Sequence, residues 1–209
     1  MEFLYIGFGA ILGAILTLGA TLVTDFFRRK NKAKEFRKIV LVELQELQVR
    51  LALTYYLMAE KRGALTISDF NWICELVHNY EGTAVNQEIR DGLEELRGKN
   101  ENELRVAFQT LTKPETQREA VKKFTLTALK SGLLKLGQFE LKESRILFDI
   151  LNLLDLYNQT VDDYRYFFHL TFDPKIPENY PIASKNLSSA EGTIMSAAKA
   201  LAGKIDLLK

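Results

Sequence analysis

The hydrophobic and polar positions divide the chain into one unbroken apolar run followed by a series of helical periodicities. Phe3 to Val23 reads FLYIGFGAILGAILTLGATLV, and no charge occurs between residues 3 and 24. At 1.5 Å per residue, a helix of that length covers roughly 30 Å, the thickness of a bilayer's hydrocarbon core. The run predicts a single N-terminal transmembrane helix. Downstream, Phe36, Val40, Leu44, Leu47, Leu51, Tyr55 and Met58 recur at steps of 4, 4, 3, 4, 4 and 3, the spacing of an amphipathic helix. Neither Pro nor Gly interrupts residues 20–62, so the two patterns predict one rod, with Gly63 as its stop.

Shorter periodicities follow. Ser68 reads as the N-cap of a helix reaching Tyr80, with Phe70, Ile73, Cys74 and Val77 on one face. Val85, Ile89, Leu93 and Leu96 predict a second segment, broken at Gly98-Lys99-Asn100. Leu104, Phe108 and Leu111 predict a third, ended by Lys113-Pro114. Glu115 to Leu136, carrying Val121, Phe124, Ala128 and Leu133, predicts another helix. The longest downstream helix is expected from about Glu140 to Phe172, with the apolar stretch Ile146–Leu154 at the centre of the domain. Its aromatic end, Tyr164 to Phe172, reads as core packing, and Trp72 with Tyr55-Tyr56 as core or interface anchors. Residues 173–186, with Pro174, Pro177 and Pro181, predict a loop. A last helix is expected from Ser188, with an apolar stripe through Ile194, Ala197, Leu201, Ile205 and Leu208. No stretch alternates as a strand would. The expected fold is all-α: a transmembrane helix continuing into a helical bundle whose core comes from residues 36–62, 115–136 and 140–172.

Charge distribution sets the topology. Residues 28–38 hold seven Lys and Arg against one acid, whereas residues 39–209 carry 21 basic and 24 acidic side chains. The net charge of +1 therefore arises from the cluster. A basic flank after the apolar run stays inside, so the N-terminus is expected outside and the domain in the cytoplasm, at an inner (plasma) membrane. Met1-Glu2 lacks the basic start of a cleaved signal. The division is a transmembrane anchor at 1–25, a basic juxtamembrane segment at 26–38 and a cytoplasmic helical domain at 39–209. The layout resembles that of small bacterial membrane proteins with one N-terminal span, a likeness that names no family.

Two features of the anchor suggest contacts. Gly9, Ala10, Gly13, Ala14, Thr17 and Thr21 form a candidate helix-association face, where small side chains let backbones approach in lipid. Arg28, Arg29, Lys30, Lys32 and Lys34 are candidate contacts to anionic lipid headgroups. Membrane lipid and a protein partner or second copy are the expected partners. Nucleic acid is not, because the domain is slightly acidic.

Candidate chemistry is sparse. The lone cysteine, Cys74, excludes an internal disulfide and any multi-cysteine metal site. Glu75 and His78 make one E-x-x-H step, but Tyr166 stands three residues before His169, so the second copy a di-iron bundle needs is missing. There is no G-x-x-x-x-G-K-[ST] loop and no G-x-S-x-G elbow. Asp162, Tyr166 and His169 share a helix face, which reads as a satisfied core edge in preference to an acid–base pocket. No catalytic residue, cofactor or metal is assigned. The expected function is a membrane-tethered, non-enzymatic helical interaction, scaffold or accessory module. The alternatives are an oligomeric membrane effector that couples a sensor domain to membrane-perturbing spans, and, third, a membrane-bound enzyme.

Overall fold

The computed structural model describes residues 2–110, 121–172 and 180–208, with residues 2–19 described through the backbone alone. All regular structure among the described residues is helical. Helix α1 runs without interruption over Glu2–Lys61. It ends at Gly63, whose φ of 62° lies in the left-handed region that glycine enters without steric cost. The single rod expected from residues 20–62 is thus observed. Among the described residues, no helix is long and apolar enough to cross a membrane, and most of the apolar run at 3–23 falls where side chains are not described.

Among the described side chains of α1, Phe36 is the first that is buried. From there Val40, Leu44, Leu47, Leu51, Tyr55 and Met58 are all buried, as their spacing requires. Two long helices complete the core: α6 (Leu141–Leu170) and α7 (Tyr180–Asp206) pack on one another, and α7 also packs along α1. α6 opens with a reciprocal capping box between Glu140 and Glu143, which satisfies two of the orphaned N–H groups of its first turn. Its direction follows α1, because Glu143 pairs with Arg37 near the start and Tyr157 bonds to Thr54 further along. α7 runs the opposite way: Lys61 pairs with Glu191, whereas Gln48 bonds to Ala202 and Asp206.

Three expectations are corrected. The helix after the rod, α2 (Ile67–His78), is capped by Thr66, not Ser68, and stops before Tyr80. Thr66 Oγ1 accepts the Asp69 N–H at 3.1 Å, a bond Ser68 cannot make from inside the first turn. α7 begins at Tyr180, eight residues before Ser188, so Pro181 lies in its first turn. There the missing N–H has no intrahelical partner to lose and the fixed φ suits the helix. Pro174 and Pro177 lie outside the described residues.

The third correction concerns the core. The single helix predicted at 115–136 is only partly formed over its described part: residues 121–126 are irregular and lead into a short α5 (Thr127–Ser131) and a 3-10 turn at Leu133–Gln138. α6 supplies the hydrogen bonds that a helix would have made internally. Asn158 accepts the Phe124 N–H at 3.0 Å and donates to the Phe124 carbonyl at 2.8 Å. Tyr157 donates to the Lys122 carbonyl and Arg165 to that of Val121. Glu43 of α1 accepts the N–H groups of Ala128 and Leu129 at 3.0 and 3.1 Å, anchoring the start of α5. The core is therefore α1, α6 and α7, with 121–138 as a strap across it. α3 (Gln87–Arg97) and α4 (Glu101–Thr110) sit beyond α2, capped by Asn86 and preceded by Asn100. Leu111 lies outside the described residues.

Candidate functional site

The described part of α1 that stands outside the bundle has a distinctive order of side chains. Leu22, Val23, Phe26 and Phe27 are exposed, and the two phenyl rings meet edge to face at 5.9 Å. Arg28, Arg29, Lys30, Lys32 and Lys34 follow, all exposed. Large apolar groups left bare on a solitary helix and succeeded by a cationic segment match the transition from hydrocarbon to anionic headgroup. Of the candidate association face, only Thr21 lies among residues with described side chains, and it is exposed.

A groove of about 500 Å³ lies between α1 and α2, closed at one end by the C-terminus of α7. Its apolar wall includes Val49, Trp72 and Leu76, and its polar rim includes Gln45, Glu75 and Asp206. Trp72 is held by an edge-on contact with Tyr55, at 6.1 Å between ring centres. Gln48, almost fully buried, donates to the Ala202 carbonyl at 2.9 Å and to Asp206 Oδ1 at 2.7 Å. The groove thus has a rigid floor. Among the described residues, no lysine or arginine lines it.

No family model, curated protein or solved structure matches the chain.

Behind the groove lies a buried ionic cluster. The carboxylate of Asp69 accepts from Tyr55 Oη and Thr66 Oγ1, each at 2.7 Å, and from Lys199 Nζ at 2.5 Å. Burial alone would raise the Asp69 pKa, but the hydrogen bonds from Lys199, Tyr55 and Thr66 outweigh it and hold the group below its ordinary value. The same contact, added to burial, raises the Tyr55 phenol. Every polar atom of Asp69 is engaged, and the cluster joins α1, α2 and α7. It is a clamp, with Asp69 buried and the Lys199 side chain half exposed. A second clamp joins Lys61 to the buried Glu191 at 2.5 Å, while Arg62 donates to the Ser188 carbonyl at 2.8 Å.

The residues singled out for chemistry do not converge. Asp162 pairs with Lys123, whereas Tyr166 and His169 are exposed and turn to the rings of Phe167 and Phe168. The aromatic end of α6 is only half covered: Tyr164 is buried, and Phe172 is exposed. His78 lies 3.5 Å from Glu94, both on the surface. Among the described residues, no group of three or more His, Cys, Asp or Glu is arranged to hold a metal ion. Cys74 is buried as expected, and burial pushes its thiol up to about 11, which suppresses the reactive thiolate. Sequence reasoning missed the cluster at Asp69 and the role of Gln48. Polar residues at apolar helix positions were the available signal, but their partners on α7 lie some 130 to 158 residues away.

Proposed function

We propose that the chain is a membrane-tethered helical interaction module, carried by a single transmembrane helix at residues 3–23 with its N-terminus outside and its bundle in the cytoplasm. The observation that supports this most directly is the segment at 20–35. Exposed Leu22, Val23, Phe26 and Phe27 are succeeded by the cationic cluster, on a helix whose first buried residue among the described side chains is Phe36. In water this arrangement leaves large apolar side chains bare, whereas a bilayer covers them and its headgroups receive the charges.

Membrane lipid is then one partner, and a protein seated in the Trp72 groove is the other. Catalysis has no place in this reading. The continuous helix also favours a second reading, an oligomeric effector whose spans associate through Gly9, Ala10, Gly13, Ala14, Thr17 and Thr21. A rod without a hinge transmits any rotation of the bundle into the bilayer.

Crosslinking on intact membranes, followed by mass spectrometry, tests both readings when the native chain is compared with Gly13→Leu and Trp72→Ala. Crosslinks to a different protein that are lost in Trp72→Ala and kept in Gly13→Leu support the interaction module. Subunit crosslinks lost in Gly13→Leu support the effector. Recovery of the native chain in the soluble fraction overturns both.

A further inference from the structure

The end of the bundle from which α1 emerges carries an unusual corner. Phe139 packs edge-on against Phe36, with ring centres 6.0 Å apart. Gly132 lies so close to the same ring that a Cβ there would sit 2.1 Å from it. Between these two contacts the chain reverses through the turn at Leu133–Gln138, then enters α6. That turn is therefore the rod-proximal tip of the bundle. Leu134 at its apex is fully exposed, at 103%, and Leu141 at the start of α6 is 71% exposed; Leu133 is partly so. Water-exposed leucines clustered on a tight turn gain nothing from the bundle's own core.

The surrounding charges are mostly cationic. Lys135 lies 5.3 Å from the Phe36 ring, and Lys142 and Arg145 are exposed without an ion pair to any described residue. The acids nearby are committed, since Glu143 pairs with Arg37 and the Glu140 side chain caps α6. Three exposed leucines with Lys135, Lys142 and Arg145 close by in sequence repeat, on a small scale, the order of groups along α1 itself.

We propose that this corner is a second bilayer contact, in which Leu133, Leu134 and Leu141 enter the headgroup layer of an anionic membrane and Lys135, Lys142 and Arg145 meet its phosphates. The inference rests on the anchored reading of α1 and deepens it. Nine residues separate Phe27 from Phe36, about 14 Å of helix. The headgroup layer on one side accounts for only about 5–7 Å of that. An upright rod would leave the corner short of the membrane, and a tilt toward the upper end of the observed range, about 40°, brings one side of the bundle down to it. The contact would thus fix the tilt and the azimuth of the bundle, and decide which way the Trp72 groove faces.

Full-length protein in vesicles of phosphatidylcholine with phosphatidylglycerol tests this, with nitroxide labels placed in a Cys74→Ala background at Leu12→Cys, Leu134→Cys and Phe172→Cys. Phe172 is exposed at the opposite end of α6. The expected result is that labels at positions 12 and 134 collide more with oxygen than with a water-soluble nickel chelate, and the label at 172 the reverse. A lipid-like label at 12 with a water-like label at 134 overturns the corner contact and leaves the anchor standing. A label at 134 shielded from both reagents overturns it too, in favour of a protein contact. A water-like label at position 12 removes the anchor and the corner contact together.

Discussion

Lys199 of α7 donates to the carboxylate of Asp69 across 2.5 Å, joining residues 130 positions apart in the chain. Asp69 is buried, whereas the Lys199 side chain is half exposed. The pair is therefore unequal: the carboxylate depends on the contact, and the ammonium can still turn to water. Lys199 also lies 5.3 Å from the Tyr55 ring, whose hydroxyl holds the other carboxylate oxygen. One acid thus ties three helices together behind the Trp72 groove.

Replacing Asp69 with Ala leaves the Tyr55 hydroxyl buried without its acceptor and removes two further bonds. The expected loss is about 2–4 kcal/mol of stability, read from urea titration of the full-length protein in mild detergent. Lys199→Met is expected to cost less, about 1–2 kcal/mol, because it leaves the carboxylate its bonds from Tyr55 and Thr66. Equal losses from the two variants would show that the clamp is not organised around the acid.

The same carboxylate sets a pH dependence. Its folded pKa lies below its unfolded value, so the stabilisation is complete above the unfolded value and is lost as pH falls through the folded one. Between about pH 6 and about pH 3 the urea midpoint of the native chain should fall further than that of Asp69→Asn, which cannot titrate. Parallel declines in the two proteins would assign the acid sensitivity to other carboxylates.

Asn158 presents a third test. Its amide occupies both the N–H and the carbonyl of Phe124, holding the irregular strap against α6. Asn158→Leu keeps the approximate volume and removes both bonds, at an expected cost of about 1–3 kcal/mol. Protease cleavage within residues 121–126 should rise with it. An unchanged cleavage rate would mean that Tyr157 and Arg165 hold the strap without Asn158.

Local rules were sufficient where a pattern and its structural consequence lie in one helix. The rod from residue 20 to Lys61, its stop at Gly63, the burial of the stripe Phe36, Val40, Leu44, Leu47, Leu51, Tyr55 and Met58, and the extent of α6 follow from spacing, glycine and capping alone. Those features depend on contacts three or four residues apart. The apolar run at 3–23 and the cationic cluster behind it are likewise written directly in the chain.

What only the tertiary structure decided involves partners remote in sequence. Val121, Phe124, Ala128 and Leu133 have helical spacing, yet the described part of that segment becomes a strap because Asn158, Tyr157 and Arg165 satisfy its backbone. A competing set of hydrogen bonds from another helix outweighs a weak local preference. The Asp69 clamp, the fixed Gln48, the groove beside Trp72 and the exposed corner at Leu134 arise in the same way. A side chain's burial and charge state depend on what the fold brings against it, and periodicity along one element carries no information about which residue of a distant helix that will be.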